Sequence, residues 1–411
     1  MPDLLFAGLI SLTGLYVVVR ITCAIGWHRV VRSSQDVDEP NRLPKVSVLI
    51  PARDEADTIE ACLTSVLKNE YPAKQLEIIV IDDASSDRTA ITARRVAQRM
   101  ESAVLAGDLP AAGNDVAVRA CPIVRVVQID AQDDNDEPNT SGPDHSTPVR
   151  PTRHKSAALR RGLEESSGEV IATTDADCVV GPRWIRTLVR RCTKDTPFVS
   201  GPLRYDWREK WFDRYQAVEM SALVAFGGGT IGAGIPTICN GGNVAVRRSL
   251  LDEYSSDVPL AADEVLLQHV AYNTDAEAVF EAHPDAVVET ACVGTGKAYL
   301  EQRARWAWMG PRYPHAVPVA LSVFEWLTNA SFLSLGIASI AFPAWQPVVM
   351  SCFLGKVAAE ALMTVPAMRH LGQNALTRTL LPATLFWTVS VTVVGLLGTF
   401  GTVHWKGRRV G

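Results

Sequence analysis

Three short acidic runs stand where chemistry is possible, each directly after a stretch of apolar residues. Asp54-Glu55 follow Val46–Pro51, Asp82-Asp83 and Asp87 follow Glu77–Ile81, and Asp175-Ala176-Asp177 follow Val170–Thr174. Carboxylates gathered at one place repel unless a cation or a donor-rich ligand sits among them. Hard oxygen donors select Mg2+ or Mn2+, and such ions commonly bridge protein to phosphate. A second reading stays open for Asp54 and Asp87, which can also cap the helices after them. Basic residues gather just before the third acidic run: Arg150, Arg153, His154, Lys155, Arg160 and Arg161. Lys155 opens a helix, where a phosphate would also meet free backbone N–H groups. Arg160 and Arg161 suit a solvated helix face. The run Gly227-Gly228-Gly229-Thr230-Ile231-Gly232 has the spacing of a dinucleotide loop. No strand precedes it, Ala217–Phe226 reads as helix, and Pro236 would break any helix after it. A dinucleotide site is therefore rejected.

These residues need a scaffold that brings strand ends together. Val46–Pro51, Glu77–Ile81, Ile123–Ile129 and Val170–Thr174 read as strands. Between them, Ile59–Leu67, Ser86–Gln98 and Lys155–Glu165 carry helical spacing. Such alternation predicts an α/β fold with a mainly parallel sheet of Rossmann type and helices on both faces. Ligands of such sheets bind beyond the carboxyl ends of the strands, where the acidic runs lie. The stretch 45–310 reads as one soluble domain. Within it, 130–152 is polar, acidic and proline-rich and reads as a surface loop.

The ends of the chain differ from its middle. Residues 4–26 are apolar apart from Arg20 and predict an N-terminal transmembrane anchor. His28, Arg29 and Arg32 come next, which predicts a cytoplasmic position for the adjoining domain. Stretches 317–342, 345–366 and 380–401 predict a C-terminal membrane region, 317–401, of about three helices. The basic tail after the last of them (His404, Lys406, Arg408, Arg409) runs against the charge rule. Glu325, Asn329, Lys356 and Glu360 fall inside these stretches, and ionisable groups at that depth usually face protein or a cavity. Lys356 and Glu360 are spaced to pair on one helix face, although a lysine snorkelling to the interface is equally open. A net charge of −5 argues against a nucleic-acid partner. Eight cysteines, none in a C-x-x-C pair, indicate neither a zinc ribbon nor a disulfide scaffold and suit a reducing compartment.

Together the motifs resemble the family-2 glycosyltransferases, enzymes of GT-A fold that are membrane-anchored in many bacteria. The resemblance covers roughly 45–310 and keeps the family's order. VSVLIPARDE is similar to its opening strand and nucleotide loop, IIVIDDASSDRT to V-D-D-x-S-x-D-x-T, and HKSAALRRGLEESSGEVIATTDAD to the lysine helix leading into D-x-D. NGGNVAVRR is similar to G-x-N-x-A-x-R, AADEVLL to the stretch bearing the catalytic aspartate, and QRARW to Q-x-x-R-W. The resemblance implies that Glu55 and Asp83 meet the uracil-ribose part of the donor, and that Asp175 contacts it near the ribose. It implies that Asp177 holds Mg2+ or Mn2+ on the diphosphate, that Lys155 lies near the phosphates, and that Asp263 is the general base. Gln302, Arg305 and Trp306 are implied on the acceptor and diphosphate side. Glu264 is a second candidate base, since the family often has E-D or D-D where this chain has Ala262-Asp263-Glu264.

The implied reaction is an inverting transfer from a nucleotide-sugar donor, a UDP-sugar foremost. The acceptor is lipid-linked or hydrophobic, and the place is the cytoplasmic face of a bacterial-type inner membrane. The base removes the acceptor proton as the oxygen attacks the anomeric carbon opposite the departing diphosphate. Trp306 is open to two readings, a stacking platform for a sugar or a tryptophan of the membrane interface. A processive polysaccharide synthase shares Q-x-x-R-W but needs a channel for its product. A nucleotide-binding transporter or receptor would need no base.

Overall fold

The computed structural model describes residues 2–35, 40, 42–106, 121–129, 153–254, 263–402, 404–405 and 408–409. The acidic loop 130–152, with Arg150, and Ala262 lie outside the described residues, as do the side chains of Arg153 and His154. In chain order the elements are α1 (Pro2–Ser33), β1 (Val46–Ala52), α2 (Ile59–Leu67), β2 (Leu76–Asp83), α3 (Thr89–Ala106), β3 (Ile123–Ile129), α4 (Arg153–Glu164), β4 (Val170–Thr173), β5 (Cys178–Val180) and α5 (Trp184–Val189). They continue with β6 (Phe198–Ser200), β7 (Leu203–Asp206), α6 (Trp211–Gly232), β8 (Val244–Arg247), α7 (Arg248–Tyr254), α8 (Asp263–Asn273), β9 (Ala278–Phe280), β10 (Val288–Ala291), α9 (Gly296–Met309), α10 (Ala316–Ala341), α11 (Gln346–His370) and α12 (Leu380–Phe400).

Two compact units emerge. Val31–Leu203 and Cys239–Ala291 form a sheet unit, and Met1–Val30, Arg204–Ile238 and Cys292–Gly411 form a helical unit. The sequence pattern groups 45–310 together, whereas packing assigns α6 and α9 to the unit of the apolar helices, because α6 packs on α11 and α9 on α12.

The sheet unit has seven strands in the order β3-β2-β1-β4-β8-β6-β9. All eight residues of β2 are buried, which is what a near-continuous apolar strand covered on both faces requires. The first four strands are parallel, with β1 between β2 and β4. The register pairs Ala52 with Asp82 and Leu49 with Thr173, so the three acidic runs leave the sheet at one edge. β8 runs antiparallel to β4 and to β6, so the residues just before Val244 lie at the same edge as the end of β4.

In the helical unit, α1, α10, α11 and the stretch Asn374–Phe400 are long and apolar enough to cross a bilayer. The glycine run rejected as a dinucleotide loop lies inside α6. A Cβ at Gly229 would sit 2.4 Å from the Cys23 carbonyl, and one at Gly26 within 1.9 Å of the Gly229 carbonyl. These glycines therefore let α1 and α6 touch backbone to backbone, as small residues do between membrane helices. Arg20 of α1 is buried and reaches Glu325 of α10 at 2.6 Å and Glu360 of α11 at 3.2 Å. Tyr16 donates to Glu360 and accepts from Arg20. Lys356 is fully buried 3.7 Å from Glu360, so pairing rather than snorkelling describes it. Two cations thus face two carboxylates in the bundle interior.

Removing one member of a buried ion cluster leaves a charge without compensation, a loss of about 3–5 kcal/mol. Arg20→Met should lower the thermal midpoint in detergent accordingly. Arg20→Met with Glu325→Met should restore most of it, because Lys356 still neutralises Glu360.

Candidate active site

The loops after β1 and β2 are laced together before any ligand arrives. Asp54 takes a left-handed backbone, φ 49°, and Ala84 does the same, φ 48°. For residues with a Cβ this costs roughly 1–3 kcal/mol each and persists only where surrounding contacts hold it. The contacts are present. The Asp54 carboxylate accepts from Ser86 N at 2.7 Å and Ser86 Oγ at 3.0 Å, and Asp54 N donates to Ser85 Oγ. The Ser86 amide holds the Asp54 carboxyl below its ordinary value. Glu55 N donates to Thr89 Oγ1 at 2.8 Å, and Ala56 N to Asp87 Oδ2 at 3.0 Å. Asp87 also accepts from Thr89 N at 2.9 Å as α3 begins. That supports the capping reading of Asp87, with a tie to the neighbouring loop added. Arg53, to which the motifs assign no role, donates to the Asp83 carbonyl at 2.9 Å and lies 3.4 Å from its carboxylate.

The third run lies beyond β4. Lys155, in the first turn of α4, donates to Asp175 Oδ1 at 2.8 Å. Donor atoms of Asp175, Asp177 and Cys178 lie within 4.8 Å of one another. Desolvation in the cleft, then the like charges of Asp175 and Glu55, lifts the Asp177 carboxyl to about 6, although the residue as a whole is exposed. Burial, then Asp177 and Asp175, pushes the Cys178 thiol well up. Its sulfur donates to Asp177 Oδ1, 3.6 Å away.

The loop Asn240-Gly241-Gly242-Asn243 closes the site from β8. A Cβ on Gly242 would come within 3.0 Å of Asp175 Oδ2, and one on Gly241 within 1.8 Å of Asp263 Oδ2. A side chain at either position would have to push a carboxylate aside, because both carboxylates rest on this backbone. Asn243 fixes the loop from below: it accepts from Trp184 Nε1 at 2.9 Å and donates to the Pro202 and Ala286 carbonyls at 2.8 Å. The motif matched by NGGNVAVRR contains Gly241 and Asn243 but gives neither them nor Gly242 a contact with these carboxylates. Their signal is the unbroken N-G-G-N, a sequence no strand or helix would choose.

Asp263 opens α8 and is 6% exposed. Burial raises its carboxyl, Lys155 opposes this, and Glu264 and Asp175 add to it, for a value of about 7. Glu264 is half-buried, and Asp263 is the member of the pair that meets Gly241. The sheet unit thus brings Glu55, Asp83, Lys155, Asp175, Asp177 and Asp263 to one edge. Gln302, Arg305 and Trp306 lie on α9 of the helical unit. There Gln302 and Trp306 share a neighbour that the motif does not single out. The buried Arg303 donates to Gln302 Oε1, and its guanidinium sits 4.2 Å from the Trp306 ring centre.

Residues 47–105 and 146–255 match the model of glycosyl transferase family 2. A probable glycosyltransferase of Bacillus subtilis is 30% identical over 272 residues, 64% of this chain and 55% of the relative. An undecaprenyl-phosphate 4-deoxy-4-formamido-L-arabinose transferase of Edwardsiella ictaluri is 27% identical over 180 residues, 44% of this chain and 43% of the relative. The chain thus spans about half the length of these curated relatives. Among solved structures, a mannosyltransferase from Pyrobaculum calidifontis in complex with GDP-mannose and Mn2+ has the same fold. Its TM-score is 0.55 at 20% identity, over 96% of this chain and 98% of that one.

The field of Lys155 at Asp263 can be measured. The Asp263 carboxyl should hold its proton below about pH 7 and lose it above. In Lys155→Met the opposing charge is gone, so the midpoint should move up. Infrared titration of the carboxyl stretch, with Asp263→Asn as the subtraction, reads it directly. An unmoved midpoint would break the electrostatic link between the two residues.

Proposed function

We propose, from the premise that the chain carries a glycosyl transferase family 2 domain, that it transfers a sugar with inversion from a nucleoside-diphosphate sugar to a lipid-linked or otherwise hydrophobic acceptor. The observation that carries this reading is the division of the sheet edge. Asp175, Asp177 and Lys155 form a charged cluster, while Asp263 lies buried against the neighbouring Gly241 backbone, and burial raises its carboxyl to about 7. One group of charges suits a leaving diphosphate, and the other suits a proton acceptor working near neutral pH.

The donor set fits Mg2+ or Mn2+, with two carboxylates at a strand end. Asp177 would hold the ion with Asp175 beside it, and the ion would supply positive charge to the departing diphosphate. Lys155 opposes the same developing charge from the start of α4. Glu55 and Asp83, on the laced loops, would meet the nucleoside. Asp263 would take the proton from the acceptor oxygen as that oxygen attacks the anomeric carbon. Gln302, Arg305 and Trp306 would serve the acceptor and diphosphate side. The apolar helices and the polyprenyl-phosphate substrate named for the Edwardsiella relative support a lipid acceptor. The basic residues His28, Arg29, Arg32 and Arg312 support a cytoplasmic face for the domain.

Three measurements test the assignment. Asp263→Asn should retain donor affinity and lose transfer by roughly 10²–10⁴-fold, whereas Glu264→Gln should be much milder. Wild-type transfer should fall as pH drops through about 7, because a raised carboxyl regains its proton there and a protonated acid accepts none. Asp177→Ala should abolish metal-dependent donor binding, while Asp87→Ala should cost about 1 kcal/mol of stability as a lost cap. Full transfer by both Asp263→Asn and Glu264→Gln would sink the mechanism.

A further inference from the structure

Glu219 of α6 and Arg303 of α9 are both nearly sealed from solvent, at 3% and 4% exposed. Arg303 presents two nitrogens, Nε at 3.0 Å and Nη2, to the same oxygen of Glu219. The other Glu219 oxygen accepts from Tyr299 at 2.7 Å, and Tyr299 lies 2.8 Å from Ser390 Oγ on α12. Glu219 is therefore saturated, and the guanidinium plane of Arg303 is fixed by it. The remaining edge of that plane, Nη1, reaches Gln302, and its face covers Trp306.

A buried ion pair costs desolvation that its attraction only partly offsets, so it is weak evidence for stability alone. This pair is built to orient. A planar fork held on one side by a carboxylate can grip an amide with its other nitrogen and stack on a ring at the same time, which an ammonium cannot do. We infer that Arg303, braced by Glu219, is a positioning residue that sets the side chains of Gln302 and Trp306 for the acceptor. The inference rests on the transferase reading. With one face of the Trp306 ring taken by Arg303, the opposite face is the one a sugar ring can meet.

The test uses the full chain in phosphatidylglycerol–phosphatidylethanolamine vesicles. Arg303→Lys, Glu219→Gln, Gln302→Ala and the doubles Arg303→Lys/Gln302→Ala and Glu219→Gln/Gln302→Ala are compared with wild type. Hydroxyl-radical labelling of Trp306 needs no substrate. It should rise at least about twofold in Arg303→Lys and Glu219→Gln as the ring is freed. Transfer is followed with UDP-glucose or GDP-mannose, Mn2+ and undecaprenyl phosphate. In Arg303→Lys it should fall roughly 10- to 100-fold, the scale of a small misplacement, with donor affinity unchanged. The same loss should nearly vanish in the Gln302→Ala background, because a residue acting through Gln302 is non-additive with it. Unchanged Trp306 labelling overturns the inference, as does a loss that adds fully to that of Gln302→Ala. Glu219→Gln, measured against its own double, decides the matter if Arg303→Lys fails to fold. A wild type that releases no nucleoside diphosphate defeats the transferase reading, while the labelling still decides whether Arg303 positions Trp306.

Discussion

Everything in the sheet unit answers to one electrostatic problem, the convergence of carboxylates at the ends of β1, β2 and β4. Parallel pairing makes the convergence unavoidable, since strands running together end together. The fold tolerates it by giving each acid a different counterweight. Asp83 has Arg53, Asp54 has the Ser86 amide and hydroxyl, and Asp175 has Lys155. Asp177 retains the least compensation, and it is the carboxyl whose proton affinity rises beside its like-charged neighbours. Burial is the first cause for both Asp177 and Asp263. They differ in what acts next: the like charges of Asp175 and Glu55 add to it at Asp177, whereas Lys155 opposes it at Asp263.

The helical unit solves a related problem with the opposite outcome. Arg20, Lys356, Glu325 and Glu360 compensate one another, and no opposing backbone is left short of room, because Gly26 and Gly229 let α1 and α6 approach. Arg303 and Glu219 compensate one another too, but an edge and a face of the guanidinium remain for other side chains. That difference separates a cluster that joins helices from one that aims residues.

Much of the sheet was legible because its signals are local. The continuous apolar runs of β1 and β2, each ended by acids, marked strands and site edge together, and Ile123–Ile129 was placed residue for residue. The antiparallel return through β8 was not legible, since no local pattern states which neighbour a four-residue strand will choose. Asp87 resisted assignment because a cap and a ligand look alike until the Thr89 amide is seen beneath it. The roles of Gly241 and Gly242 depend on carboxylates that lie after β4 and open α8, so sequence distance hid them. Arg303 was passed over inside its own motif because its partner, Glu219, lies 84 residues away. Lys356 and Glu360, one helical turn apart, are spaced to pair, but only the full burial of Lys356 excludes the snorkelling alternative.

The cluster around Arg20 also sets a schedule. Glu325 lies 305 residues further along the chain and Glu360 340. At roughly 5–20 residues per second, the arginine waits about 15–60 seconds of synthesis for its first carboxylate. In a bilayer, which α1 is long and apolar enough to cross, a central arginine would cost about 2.5–3.5 kcal/mol, and the leucine- and valine-rich remainder of α1 would offset this. For a helix of this length and apolarity, the compensating carboxylates therefore arrive only when the last third of the protein has been translated. A chain interrupted before α10 would present a membrane helix with an unmatched charge, a feature that quality-control proteases of the bilayer can distinguish from the finished molecule.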